Sequence, residues 1–444
     1  MVQQLIGDWP VGKMRNDGDL RGSHSLGRES QGEVVSLTVS ENSSGEISTK
    51  PKRHSPVFLA VFAVFVVATG IYLAGTVIGV VSAHPSHHDT QWFWASGHLL
   101  VHGKNPYDRQ AMGHMETELG LTQHRAVPMT LNPPYALFLL MPIGLLGPRT
   151  GVVVWALLLT AFLAISVRSL TAISQQHERS VRWLAWLFVP ALSCVEIGQT
   201  GLIVLLGLAL FLRFHRSRPF CAAMALSLCA IKPHLLLPFG LVMLVWILAR
   251  KKWLILAGAA LAMVIESLIA VLFNHAIWAN YRTMMHTDRF VNYFVPTLGS
   301  ELRFAVRPAA IWIEFIPASL GCIWGLWYFW RNRGRWDWRT HGSLLILVSL
   351  VVAPYSWFTD QVLALPAILF VLLGKRELRR GSLTLLLAIM SAAELEMMKL
   401  DIYSEIYIAQ CLAWLAWYLY ATSGRPPAPA ALPADVRNGN AVSA

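Results

Sequence analysis

Between residues 57 and 422 the chain is a succession of apolar runs set apart by short clusters of lysine and arginine. A helix needs about 20 apolar residues to cross the roughly 30 Å hydrocarbon core of a bilayer. The first run alone, residues 57–83, is long enough to cross with some tilt. With 55% hydrophobic and only 14% charged residues, the sequence lies far from soluble domains, which carry about 25% charge. A soluble fold is excluded, and an all-α polytopic membrane protein is expected. Dividing the apolar stretches by the length of a span leaves room for about 12 transmembrane helices.

The net charge of +11 is not the footprint of a nucleic-acid partner. Its basic residues stand in short clusters between apolar runs, as the positive-inside rule requires. Lys50, Lys52 and Arg53 precede the first run, which places the N-terminus in the cytoplasm. Residues 1–54 hold seven basic and seven acidic residues among Ser, Gly, Asn and Gln without apolar periodicity, and are expected to be a disordered tail. Residues 424–444, rich in Pro and Ala, form a second such tail. The domain between them spans residues 55–423. Its five cysteines lie in or beside apolar runs without C-x-x-C spacing, so neither a disulfide framework nor a thiolate metal site is indicated.

Residues 84–134 form the longest polar connection and must face outward, since the first run starts in the cytoplasm. Beyond them the basic clusters at Arg213/Arg216/Arg218, Arg250-Lys251-Lys252, Arg331/Arg333/Arg335/Arg339 and Lys375-Arg376 all fit the cytoplasmic side. Between these clusters the apolar segments come in pairs, each broken by a polar kernel: Glu196-Ile197-Gly198-Gln199, Lys232-Pro233-His234, Pro354-Tyr355-Ser356 with Asp360, and Lys399-Leu400-Asp401. Several arms of these pairs are too short to cross at 1.5 Å per residue, so the kernels are expected within the outer leaflet. Charge or broken backbone at that depth has to be buried in protein or line a wet cavity. The expected feature is an outward-facing cavity; surface loops with snorkelling side chains are the alternative. Residues 131–172 hold two apolar pieces where the charge rule allows one net crossing, and the first piece is expected to be a half-span or re-entrant segment.

Asp89, close to the end of the first run and followed by Trp92, Phe93 and Trp94, is placed at the membrane interface as a candidate general base. Its alternative role is to cap an interfacial helix. His84, His87 and His88 beside it lack the spacing and carboxylate partners of a metal site, so no metal is expected. Lys232, in a broken helix, and Arg303, in the outer segment 297–303, are candidate partners for a phosphate. Glu196, Gln199 and Asp360 are candidates to orient sugar hydroxyls, or else interhelical polar contacts.

These residues resemble glycosyltransferase family 87. The resemblance is carried by Asp89 with the aromatics after it, Gly103-Lys104-Asn105-Pro106-Tyr107-Asp108, Asn132-Pro133-Pro134, Gly198-Gln199-Thr200-Gly201, Ile231-Lys232-Pro233-His234, and Pro354-Tyr355-Ser356-Trp357 with Asp360. It runs from about residue 57 to 422. The family usually has Tyr where Trp92 and Trp94 stand, and Asn in the segment occupied by Thr200-Gly201-Leu202. The resemblance implies a GT-C-type fold and transfer of a hexose, mannose above all, from a polyprenyl-phosphate sugar to an acceptor hydroxyl on a lipid or glycan. It further implies inversion, with Asp89 as base, Lys232 and Arg303 at the donor phosphate, and Tyr355, His88 and Asn132 joining Glu196, Gln199 and Asp360 around the substrates. No cofactor is implied. The expected location is a bacterial inner membrane with the site facing outward. A transporter or flippase of a lipid-linked saccharide would use the same cavity without bond cleavage. Transporters are often built from repeats with matching interrupted helices, whereas the long outer loop occurs once here, which favours the enzyme.

Overall fold

The computed structural model describes residues 89–118, 130–173, 179–287, 294–374, 377–397 and 404–423, with isolated helical positions between 63 and 75. Among the described residues the regular structure is entirely helical. His84, His87, His88 and the Lys399-Leu400-Asp401 kernel lie outside the described residues, as do both tails.

Among the described residues three helices are long and apolar enough to cross a membrane: α2 (Pro148–Ile173), α7 (Trp253–Phe273) and the stretch Ile311–Arg335, which contains α9 (Ile316–Asn332). A fourth crossing results if the bent pair Pro219–Ile231 and Pro233–Ala249 is one span. Beside these stand α4 (Gly201–Phe214), α6 (Leu237–Ala249) and α10 (His341–Val352), apolar helices of 12 to 14 residues. Each covers only about 18–21 Å at 1.5 Å per residue, and each meets a polar break at one end.

α1 (Thr90–Val101) buries Phe93, Trp94, Leu99 and Leu100. Trp94 donates its indole N–H to the Leu146 carbonyl at 2.9 Å, and the Phe93 ring stands 6.0 Å from Trp155 of α2. Further along, Asn105 Oδ1 accepts from the Tyr107 amide at 3.0 Å, while the Tyr107 hydroxyl donates to the Asn132 carbonyl at 2.7 Å. The local turn at Asn105-Pro106-Tyr107 is thereby tied to Asn132. Residues 131–172 resolve into a 3-10 turn (Pro134–Leu139), a short helix (Met141–Gly144) and the single long helix α2. Pro134 at the start of the turn and Pro142 in the short helix remove amide donors, which keeps the first apolar piece from forming a continuous helix.

α2 packs along α4, and α5 (Pro219–Leu226) packs along α7. Two short elements bring the kernels together: α3 (Val189–Ile197) and the 3-10 helix Phe358–Ala364, which pack on one another and lead into α4 and α11 (Leu365–Leu373). Cys194 of α3 bonds the Thr359 carbonyl at 3.2 Å across this contact, and all five cysteines are free.

Candidate active site

Asp89 immediately precedes α1, outside the membrane-spanning helices, yet its side chain makes no capping bond to that helix. The carboxylate instead accepts a hydrogen bond at Oδ2 from the amide nitrogen of Gln199. Gln199 in turn accepts at Oε1 from Lys232 Nζ at 2.9 Å, and the same ammonium pairs with Asp360 Oδ1 at 2.6 Å. Asp360 is fully buried, and its other oxygen accepts from the Trp357 amide at 3.0 Å. Four side chains, separated by up to 271 positions in sequence, thus form one chain of hydrogen bonds: carboxylate, amide, ammonium, carboxylate.

Local backbone explains each placement. Gly198 ends α3 with φ +85, the left-handed conformation that L side chains resist, and a Cβ built there would fall on the Thr90 hydroxyl next to Asp89. Its carbonyl accepts from Trp155 Nε1 at 2.7 Å, which fixes the turn against α2. Gly198 thereby permits the close approach that lets Gln199 reach Asp89. Replacing it by alanine should cost about 1–2 kcal/mol for the left-handed backbone alone, and also displace Thr90. A lowered unfolding midpoint together with reduced transfer by Gly198→Ala is the expected result; wild-type transfer would show that this approach does not set Asp89.

Lys232 sits at the break between the two 3-10 turns Ser227–Ile231 and Pro233–Leu236, in a bend of 114° between α5 and α6. Pro233 has no amide hydrogen, so a regular helix cannot run through, and the lysine leaves the helix at the bend rather than at its surface. Lys232 is buried. This is a cation paired inside the fold, not one reaching outward to water.

Burial raises the Asp89 carboxyl to about 6; the Lys232 charge and the Gln199 bond pull it down, while Asp360 pushes it up again. A carboxylate that titrates near neutrality is a stronger base than a solvated aspartate yet remains ionised at pH 7, which suits proton abstraction. Counting Asp89 and Asp360 as −1 each and Lys232 as +1, the ionised group carries −1.

Beside Lys232, Tyr355 accepts from Trp357 Nε1 at 2.8 Å and meets the His234 ring edge-on at 5.4 Å between centroids. His234 Nε2 is buried with no hydrogen-bond partner among the described residues. No role was assigned to His234 from sequence, although its position two residues after Lys232 across a proline was a usable signal. Glu196 lies partly buried in the last turn of α3, and Asn132 is partly buried with its carbonyl held by Tyr107. His88 is outside the described residues.

Arg303 is placed differently. It lies in α8 (Leu298–Val306), fully buried, where its Nε pairs with Glu314 at 2.7 Å, its Nη1 donates to the Pro308 carbonyl at 2.9 Å, and its guanidinium stacks over Phe304. These contacts hold the segment 297–314 to itself. The segment reaches the site region through Thr297, whose hydroxyl donates to the Pro354 carbonyl at 3.2 Å. No group of three or more His, Cys, Asp or Glu side chains with metal-ligand geometry occurs among the described residues.

The family model of glycosyltransferase family 87 matches residues 131–354, just over half of the chain. The chain belongs to glycosyltransferase family 87. No curated protein and no solved structure matches it. Membership makes the chain a membrane glycosyltransferase, with a sugar donor and an acceptor as its substrates. Of the four linked residues, Gln199 and Lys232 fall inside the stretch matched to glycosyltransferase family 87, while Asp89 precedes it and Asp360 follows it.

Proposed function

We propose that this family 87 enzyme moves a hexose, mannose in the first instance, from a polyprenyl-phosphate sugar to a hydroxyl on a lipid or glycan acceptor, with inversion at the anomeric carbon. The observation that carries this reading is the Asp89 carboxylate, tied to Gln199 rather than to its own helix and raised toward neutrality by burial. Asp89 takes the acceptor proton as the acceptor oxygen bonds to the anomeric carbon. The bond from that carbon to the phosphate oxygen breaks, and polyprenyl phosphate departs with the electron pair. A phosphodiester sugar already carries a good leaving group, so positioning and one base meet the chemical need. Lys232 faces the charge that develops on the departing phosphate. Asp360 and Gln199 hold that ammonium in place, and Tyr355, Glu196 and Asn132 flank the substrates. Arg303 serves to hold the outer segment rather than the phosphate.

The test is a reaction of purified protein with a radiolabelled polyprenyl-phosphate mannose and detergent-solubilised membrane lipid as acceptor. Label is expected in a new glycolipid, with stoichiometric release of polyprenyl phosphate. Movement of the donor across a vesicle membrane without release of polyprenyl phosphate would identify a flippase instead.

The site is assigned to the outer face of a bacterial inner membrane. With Cys221 replaced by serine, a cysteine at Lys104 should react with an impermeant maleimide from outside, and one at Lys252 only after the cells are opened. The opposite labelling would invert the assigned orientation.

A further inference from the structure

We infer that the helix ends remote from Asp89 form a binding surface for the phosphate headgroup of an anionic phospholipid. α6 starts five residues after Lys232 and runs about 20 Å away from it. It ends in the turn Arg250-Lys251-Lys252. The end of α9 with the 3-10 turn Arg333–Arg335 meets it there, because Arg250 Nη2 donates to the Arg333 carbonyl at 2.8 Å. The two ends are therefore tied, and their cations share one patch.

Three observations point to a ligand. Lys251 adopts φ 52, a left-handed conformation that glycine or asparagine takes more readily, so this turn keeps a charged side chain at a conformational cost. Arg333 stacks at 4.2 Å over Trp330, and Arg331 at 5.6 Å over Trp327. Both indoles are more than half exposed, at 64% and 54%, on a helix long and apolar enough to cross a membrane. Exposed tryptophans on such a helix mark the depth of the lipid headgroups, so the stacked guanidiniums are held at phosphate level. The third observation is charge. Asp337, near this end, is already engaged by Arg216 at 3.4 Å and by the Thr340 amide at 3.0 Å. Lys251, Lys252 and Arg335 are exposed and make no side-chain hydrogen bond among the described residues.

An excess of cations at headgroup depth between two tied helix ends matches a phosphatidylglycerol or cardiolipin headgroup, whose net negative charge survives in the membrane. Phosphatidylcholine would bring its own cation into the patch. The inference is independent of the transfer reaction, because none of these residues touches the Asp89 chain.

The full-length protein in detergent micelles is titrated with phosphatidylglycerol, phosphatidylcholine or inorganic phosphate, and retained lipid is counted by native mass spectrometry alongside the unfolding midpoint. Phosphatidylglycerol should bind at least about tenfold more tightly than phosphatidylcholine and raise the midpoint. The combined variant Lys251→Gln, Lys252→Gln and Arg335→Gln removes charge without breaking the tie between the helices, and should lose that preference. A variant carrying Lys251→Arg and Lys252→Arg should keep it. Equal binding of the two lipids by the wild type, an undiminished preference in the glutamine variant, or equal protection by inorganic phosphate would each overturn the inference. If the glutamine variant does not fold, salt resistance of the wild-type preference decides: a preference that persists unchanged at high ionic strength contradicts a charge-based site.

Discussion

Asp89→Asn is expected to lower sugar transfer by about 10²–10⁴-fold while leaving the protein folded and able to bind its sugar donor. Asparagine keeps the shape and can still meet Gln199, whose amide would present its oxygen or nitrogen as needed. What it loses is the ability to take a proton. The loss should therefore fall on kcat and on kcat/KM together, with donor affinity near the wild-type value. The wild-type pH profile adds a second signature from the same group. The base must be ionised to act, so transfer should decline as the pH falls through about 6, the value to which burial raises this carboxyl. That acid limb should vanish from the residual activity of the variant. Wild-type turnover by Asp89→Asn, or an unaltered limb near pH 6, would remove this aspartate from the chemistry.

How much of this was legible in the sequence depended on what kind of signal each residue gives. A charge inside an apolar run is conspicuous, because lipid penalises it, so Lys232 and Asp360 stood out individually. Their pairing did not, since 128 positions separate them and neither run states which partner it meets. Gln199 had the weakest signal of the four. An amide costs little in a helix break, and its use depends on which end faces which neighbour. Arg303 illustrates the reverse case: it carries the same kind of signal as Lys232, yet Glu314, eleven positions on, satisfies it locally. Nothing in periodicity distinguishes a cation that is neutralised locally from one that is held at a site. The short arms were legible for a related reason: α4 and α10, of 14 and 12 residues, each end at a polar break of the kind that the paired apolar segments announce.

Replacement of Lys232 should produce the largest combined effect on folding and transfer. In the wild type the ammonium offsets the fully buried carboxylate of Asp360 and bonds Gln199. Lys232→Met leaves that carboxylate without its counter-charge in a place water does not reach, a change that costs about 3–5 kcal/mol in comparable buried pairs. A marked fall of the unfolding midpoint is expected, with loss of transfer. Because misfolding alone would account for such a loss, the informative protein is the double variant Lys232→Met with Asp360→Asn. It removes both charges at nearly constant volume, and should recover most of the lost stability. Transfer should not return with it. In the proposed reaction the leaving phosphate would still lack its cation, and Gln199 would have lost the partner that turns its nitrogen toward Asp89. Lys232→Arg should hold an intermediate place, keeping charge while its planar fork fails to match both Gln199 and Asp360 at the distances the ammonium achieves. Full activity in the double variant would show that Lys232 and Asp360 form a structural pair, and would require the donor phosphate to find its counter-charge elsewhere.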